Sequence, residues 1–164
     1  VLRRTADLGL QFLEEPDDAR EVLGRRRLVT NSPIPIAADE SAANIGEAAR
    51  EILTGGANLL SVKTARSGFT EAAKIVGMAE GMGIDVYIGN QIDTQVGTVA
   101  SVVFGAAFAH TAKRAAELSN YLDMADDLLA QPLAITDGRI RVPEGTGAGT
   151  AVNEEKLERY RTDR

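Results

Sequence analysis

The sequence predicts an α/β fold in which parallel strands alternate with helices. Short apolar runs are followed by segments of helical periodicity five times along residues 1–122, an alternation typical of βα units. The chain has 164 residues, 44% of them apolar, which is enough to bury a core. Five βα units fit two architectures, a complete doubly wound sheet of flavodoxin type and the second half of an eight-stranded (β/α) barrel. The pattern alone does not choose between them.

The predicted strands are short apolar runs, each followed by a turn or a charged residue. They cover residues 9–13, 34–38, 58–62, 84–88 and, as the weakest, 115–118. Asp17 and Asp18 are expected to cap a short helix that runs towards Gly24, and Ser41 to cap a helix that Gly55 ends.

Two longer helices follow the third and fourth predicted strands. The helix at 69–82 places alanine and β-branched side chains on one face, and the helix at 97–109 is apolar nearly all round. The apolar stretch at 96–109 is shorter than the roughly 20 residues needed to cross a bilayer. We therefore predict buried helices and no membrane segment.

The pattern changes after Asn120, which divides the chain into βα units at 1–122 and a C-terminal part at 123–164. A short helix is predicted at 123–131 and a final helix at 154–160. Asp137 and Gly138 form the Asp-Gly pair that is typical of a tight β-hairpin.

Composition narrows the class of protein. Lys and Arg total 18 against 24 Asp and Glu, a net charge of −6, and no basic patch favours a nucleic-acid partner. Without cysteine the chain has no disulfide, zinc knuckle or thiol nucleophile. The N-terminus shows neither an initiator Met nor a signal-peptide pattern, so we expect the chain to begin inside a longer, cytoplasmic protein. His110, the single histidine, is expected to be structural.

Charged residues recur at the carboxyl ends of the predicted strands. These residues are Glu14, Asp39, Lys63, Asp93 and Glu117, at spacings of 25, 24, 30 and 24 residues. In a parallel barrel the carboxyl ends of the strands converge on one mouth, where active sites are built. Acidic residues after strands also cap the following helices, but Lys63 and Asp93 have no obvious capping role.

These residue types suit proton abstraction next to a carboxylate. Glu14 and Asp39 offer only oxygen ligands on adjacent strand ends, which favours a hard cation such as Mg²⁺ over zinc. Lys63, at the next strand end, is a candidate base beside that cation. A metal ion stabilises the enediolate that forms when the proton leaves.

Six motifs, in order along the chain, resemble the barrel of the enolase superfamily, and most closely its muconate lactonising enzyme (muconate cycloisomerase) subgroup. They are Phe-Leu-Glu-Glu-Pro (12–16), Ala-Asp-Glu-Ser (38–41), Val-Lys-Thr-Ala-Arg-Ser-Gly (62–68), Gln-Ile-Asp-Thr-Gln-Val-Gly-Thr (91–98), Ala-Glu-Leu (116–118), and the glycine-rich 145–149 followed by Asn-Glu-Glu-Lys-Leu (153–157). The resemblance covers essentially the whole chain. It implies strands four to eight of a TIM-type barrel, the C-terminal half.

The resemblance also implies roles for the charged residues. Glu14 and Asp39 would bind Mg²⁺, with Mn²⁺ as a possible substitute, and Lys63 would be the acid/base catalyst. Asp93 and Glu117 would line the substrate pocket. Glu40 would support the metal ligands without binding the metal itself.

Several features depart from the family pattern. Asp93 stands where a Glu is usual, and Phe69 where a second Gly is frequent. By contrast, the segment 89–93 lacks the histidine of mandelate racemase-like dehydratases, which distinguishes the chain from that subgroup. Three parts of the family's enzymes would precede Val1. They are the first metal ligand, the strand that carries the partner lysine, and the capping domain. We expect 123–164 to pack against that capping domain.

The function implied is Mg²⁺-dependent, muconate cycloisomerase-like chemistry on a small carboxylate, in a protein that is a homo-oligomer when intact. The alternatives are an amino-acid or dipeptide epimerase, an acid dehydratase of the same superfamily, and a non-catalytic half-barrel fragment.

Overall fold

A parallel sheet of four strands organises the molecule, whose computed structural model describes Arg4 and residues 6–163. The strands are β1 (Leu13–Glu14), β2 (Ile36–Ala38), β3 (Leu59–Val62) and β4 (Asp85–Ile88), in the sheet order β1-β2-β3-β4. A single parallel bridge from Glu117 to Gly89 continues the sheet. The predicted strand at 115–118 is therefore reduced to that bridge.

Helices follow the strands in alternation. They are α1 (Val22–Asn31), α2 (Ile45–Thr54), α3 (Thr64–Gly81) and α4 (Gln95–Ala106), with 3-10 turns at Ala6–Leu8, Glu40–Ala42, Ala109–Lys113 and Asn120–Asp123. The C-terminal part holds the antiparallel hairpin β5 (Ile135–Thr136) and β6 (Arg139–Ile140), and then α5 (Glu154–Tyr160). The hairpin and the final helix are confirmed. No helix in the described part of the chain is long and apolar enough to cross a membrane.

The strand order decides between the two predicted architectures. A doubly wound sheet reverses its strand order at a switch point and carries helices on both faces. Here consecutive strands are neighbours, and α2, α3 and α4 all pack against one face. This is the arrangement of a (β/α) barrel, so the half-barrel prediction is confirmed and the flavodoxin-type alternative is wrong.

The main core lies between the sheet and its helices. Successive side chains of a strand point to opposite faces, and the outward set of β2, β3 and β4 meets the apolar stripe of α3 together with Ala48 and Phe104. The buried members include Ala38, Leu60, Val62, Val86, Ile88, Ala72, Ile75, Val76 and Ala79. The stripe predicted for the helix at 69–82 is thus confirmed.

A smaller apolar cluster occupies the opposite face of the sheet. Ala37, Leu59 and Tyr87 are buried there with Phe12 packed against them, and the rings of Phe12 and Tyr87 have centroids 4.9 Å apart. Strand alternation puts the residues two or four positions further along on the same face. The ends of β1, β2 and β3 therefore carry Glu14, Asp39 and Lys63 directly above this cluster.

The helix starts differ from their predicted positions. The first helix begins at Val22, because Asp18 accepts hydrogen bonds from Arg20 in a preceding turn. The second is capped by Asn44, whose side chain accepts from Glu47 N, since Ser41 belongs to a 3-10 turn. The predicted stop at Gly55 is confirmed: this residue has φ 72° and its N–H binds the last carbonyls of α2.

The helix predicted at 123–131 is wrong. Leu128 and Ala130 instead exchange backbone hydrogen bonds with residues 151–153. Asp127 is buried and accepts from Gln95 N at 2.7 Å, at the start of α4. Backbone pairing with the tail and this cap replace the hydrogen bonds that a local helix would have made.

Candidate functional site

Three charged side chains converge where the strands end. Lys63 Nζ donates to Asp39 Oδ2 at 2.7 Å and lies 3.9 Å from Glu14 Oε1. Asp39 is 2% exposed and Lys63 is 7% exposed. The structure thus brings together the three residues that the sequence assigned to metal binding and catalysis, from the ends of three neighbouring strands.

The electrostatics of Glu14 reflect this crowding. Its partial burial, followed by the hydrogen bond and charge repulsion that it shares with Asp39, raises the pKa of Glu14 to about 7. Lys63 opposes this rise, whereas the more distant Glu117 adds to it. Two carboxylates that resist ionising together form a site where an added cation is favoured.

Asp39 responds in the opposite direction. Burial raises the pKa of this carboxyl, but the hydrogen bond from Lys63 and the charges of Arg66 and Lys63 outweigh burial and leave the pKa below its usual value. Arg66 Nη2 donates to Asp39 Oδ1 from the first turn of α3. Arg66 was not predicted from the sequence, although its position three residues after Lys63, at the start of a helix that follows a strand, was a usable signal.

Glu15 is the second residue that the sequence analysis missed. Its Oε2 accepts hydrogen bonds from Asp39 N at 2.6 Å, from Ser41 N at 3.3 Å and from Ser41 Oγ at 3.0 Å. Glu40, predicted to support the ligands, is exposed at the start of the 3-10 turn. Its role stays a prediction, and the contacts observed behind Asp39 come from Glu15.

A glycine makes room for the lysine side chain. A Cβ at residue 89 would lie 2.8 Å from Lys63 Cε, 3.3 Å from Lys63 Cγ and 2.9 Å from Ser61 Oγ. Carbon atoms in contact prefer 3.5–4.0 Å. The absence of a side chain at Gly89 therefore leaves the space through which the Lys63 side chain extends to Asp39.

The two predicted pocket residues occupy different surroundings. Asp93 lies in the loop after β4, where its Oδ2 accepts from Gln91 N at 3.0 Å and its side chain lies beside Gly97 in the first turn of α4. Glu117 is exposed and pairs through its backbone with Gly89. Only Glu117 adds to the charge felt by Glu14. The assignment of both to a substrate pocket stays a prediction.

Two other features lie away from the strand ends. His110 is buried and its Nε2 is 2.8 Å from Ile84 O, which agrees with the structural role expected for it. A cavity of about 620 Å³ lies between α4 and the hairpin, lined mostly by apolar side chains such as Ile88, Val102 and Ile140. None of the predicted site residues lines it.

Glu14 and Asp39 are the side chains in this cluster that could bind a divalent cation. Carboxylate oxygens are the ligands that Mg²⁺ prefers, and Glu14 and Asp39 supply them from adjacent strands. Within Arg4 and residues 6–163, however, no group of three or more His, Cys, Asp or Glu side chains is placed to bind a metal ion. The pair fits part of a Mg²⁺ site by ligand type.

Comparison with known proteins identifies the family. The Enolase C-terminal domain-like family matches residues 1–156. Muconate cycloisomerase 1-2 of Acinetobacter lwoffii is 30% identical over 162 residues, which cover 98% of this chain and 42% of that protein. N-succinylamino acid racemase of Amycolatopsis sp is 29% identical over 162 residues, with 98% and 44% covered.

Solved structures show the same relationship. A muconate lactonizing enzyme from Mycobacterium smegmatis superposes with a TM-score of 0.95 at 49% identity, over 99% of this chain and 46% of that one. A muconate cycloisomerase from Pseudomonas fluorescens gives 0.93 at 28% identity, over 99% and 45%. The chain thus spans less than half the length of these relatives. Because this family matches residues 1–156, the chain belongs to the Enolase C-terminal domain-like family, of which it forms a C-terminal barrel half.

Proposed function

We propose that the full-length protein containing this chain is a Mg²⁺-dependent enzyme that abstracts a proton next to a carboxylate in a muconate cycloisomerase-like reaction. The observation that carries this proposal is the position of the buried Lys63 Nζ, 2.7 Å from Asp39 and 3.9 Å from Glu14. The similarity to muconate cycloisomerases supports it.

Each group of the site has a defined task in this proposal. Lys63 Nζ takes the proton from the substrate carbon and returns it, a role that requires a rigid position. Glu14 and Asp39 would hold the cation, which supplies positive charge against the negative charge that develops on the substrate carboxylate. Arg66 keeps Asp39 ionised and oriented, and Gly89 leaves the path of the lysine open.

Racemisation of an acylated amino acid is the second candidate function. It is favoured by the 29% identity to N-succinylamino acid racemase and uses the same first proton transfer. The solved Mycobacterium smegmatis enzyme is also known in complex with muconolactone. Muconolactone and N-succinyl amino acids are therefore the two substrate classes to compare.

The test is solvent deuterium exchange in the full-length protein with Mg²⁺. We expect deuterium to enter next to the carboxylate of one substrate class, and Lys63→Ala to abolish this incorporation while the protein remains folded by circular dichroism. The matched control is Lys74→Ala, which removes an exposed lysine of α3 and should retain full exchange. Exchange that persists in Lys63→Ala would remove this lysine from the mechanism.

Three further expectations belong to this proposal. The intact protein would be a homo-oligomer, which light scattering measures, and would be cytoplasmic, which cell fractionation measures. Residues 123–164 would pack against the capping domain, which cross-linking of the full-length protein tests.

A further inference from the structure

A fully buried arginine lies beside the site. Arg25 of α1 is 0% exposed, and its Nε donates to Glu51 Oε2 at 2.8 Å. Its Nη1 pairs with Glu15, and Glu51 is itself 0% exposed. Removing such charges from water costs several kcal/mol per ion, so a buried ion pair is weak evidence for stability. Its presence therefore calls for another explanation.

The ion pairs form a closed circuit with the segment that carries Asp39. Glu15 accepts hydrogen bonds from the backbone of Asp39 and from Ser41, as described above. Arg50 Nη2 donates to Ser41 O at 3.0 Å and pairs with Glu51 Oε1 at 3.1 Å. The side chains that close this circuit are here called the Arg25 ring: Glu15, Arg25, Ser41, Arg50 and Glu51.

The local backbone is shaped to accommodate the ring. Glu15 has φ 39°, in the left-handed region that non-glycine residues rarely adopt. A Cβ at residue 56 would overlap the Glu51 carboxylate, so Gly56 is needed at that place. Two members of the ring, Glu15 and Glu51, thus each depend on a local feature of the backbone.

We propose that the Arg25 ring positions the cation site, with Glu15 as the residue that fixes Asp39 relative to Glu14. Glu15 follows Glu14 directly in the chain and binds the Asp39 N–H, so it joins the two carboxylate-bearing strand ends through three hydrogen bonds. Arg25 and Glu51 hold Glu15 in that orientation. This inference rests on the proposed function, because it concerns the same Mg²⁺ site.

The test compares Mg²⁺ affinity with stability in the full-length protein, using calorimetric titration and thermal unfolding. Glu15→Gln should weaken Mg²⁺ binding by about 10- to 100-fold, the usual effect of losing a residue that orients a metal ligand. Ser41→Ala removes one of the three hydrogen bonds that Glu15 Oε2 accepts and should weaken binding only about two- to tenfold. Binding, unlike activity, reports on the site without substrate.

A paired substitution separates positioning from folding. Arg25→Met with Glu51→Leu removes both fully buried charges at once, an exchange that often preserves stability. We expect this variant to fold and to bind Mg²⁺ about tenfold more weakly. The control is Asp85→Asn, which loses an ion pair at the opposite, amino-terminal end of β4 and should lower stability with unchanged Mg²⁺ affinity.

The outcomes distinguish the two claims. If the wild-type protein binds Mg²⁺ and the folded Glu15, Ser41 and paired variants bind it equally well, the positioning role is wrong and the proposed function stands. If the wild-type protein does not bind Mg²⁺, the proposed function fails and this inference with it. A loss of affinity that follows thermal stability equally in Asp85→Asn also overturns the positioning role.

Discussion

The substitution Gly89→Ala tests whether Lys63 acts from the place where the structure holds it. The new Cβ would lie 2.8 Å from Lys63 Cε, so the side chain must move by about 0.7–1.2 Å to regain ordinary contact. Such a shift would stretch the 2.7 Å bond to Asp39 beyond the usual 3.2 Å limit. Because a misplacement of about 1 Å can lower a rate 10²-fold, we expect deuterium exchange to fall by about two orders of magnitude.

The assay is solvent deuterium incorporation by the full-length protein, with thermal unfolding measured in parallel. Gly77→Ala is the matched control. It makes the same change at an exposed position of α3, where a Cβ would contact nothing within 4 Å. It should keep full exchange and raise stability by up to about 1 kcal/mol. Exchange within about twofold of wild type in a folded Gly89→Ala protein would refute the reasoning.

Three further predictions address the metal, pH and the core. Mg²⁺ should raise the unfolding temperature of the full-length protein, and Glu14→Gln with Asp39→Asn should remove that protection because both proposed ligands lose their charge. Asp85 has a lowered pKa because Arg114 donates a hydrogen bond to it. The contribution of this ion pair to stability is therefore present above the unfolded-state pKa of about 3.9. It is lost as the pH falls through the lower pKa of the folded state. Asp85→Asn should therefore lower the free energy of unfolding by about 0.5–1 kcal/mol at pH 7, with the difference from wild type shrinking below pH 4 in urea titrations. Leu60→Ala, at a 0% exposed position, should cost about 2–5 kcal/mol by the same measurement.

Matched changes at exposed positions control these last experiments. Leu53→Ala, at a side chain that is 75% exposed, should cost less than about 0.5 kcal/mol. Glu80→Gln, on the exposed face of α3, should change the free energy of unfolding at pH 7 by less than about 0.5 kcal/mol. Equal losses in Leu60→Ala and Leu53→Ala would contradict the assignment of the core. Mg²⁺ protection that persists in the double carboxylate variant would contradict the ligand assignment.

The central strands could be predicted because their sequence signal is local. β2, β3 and β4 are mostly apolar runs, which is how a strand buried on both faces appears in sequence. The helix at 123–131 failed because its backbone pairs with residues 151–153, a partner that no local pattern reveals. α1 was misplaced because the turn that Asp18 forms with Arg20 moves the helix start to Val22.

The same distinction holds within the site. Glu14, Asp39 and Lys63 could be predicted because each follows a recognisable strand, and parallel strands end at a common edge. Glu15 could not, because its role depends on the direction of its side chain and on a backbone N–H, that of Asp39, which carries no residue-type signal. Arg66 was missed although its place in the turn after Lys63 was a usable signal. Gly89 is visible in the sequence, but the lysine methylene that it accommodates is not.

The alternation of the strands has a consequence for how this protein can change. In β3 the side chains of Leu60 and Val62 pack against the helices. Those of Leu59 and Ser61, and of Lys63 directly after the strand, lie on the opposite face, so the two sets of positions are under different structural constraints. A substitution on the site-facing side can therefore alter the chemistry while the core packing is retained. A substitution on the helix-facing side can alter the packing while the site residues are retained. Insertion or loss of one residue within the strand would exchange the two sets. Changes of length are therefore tolerated in the loops but not within the strand.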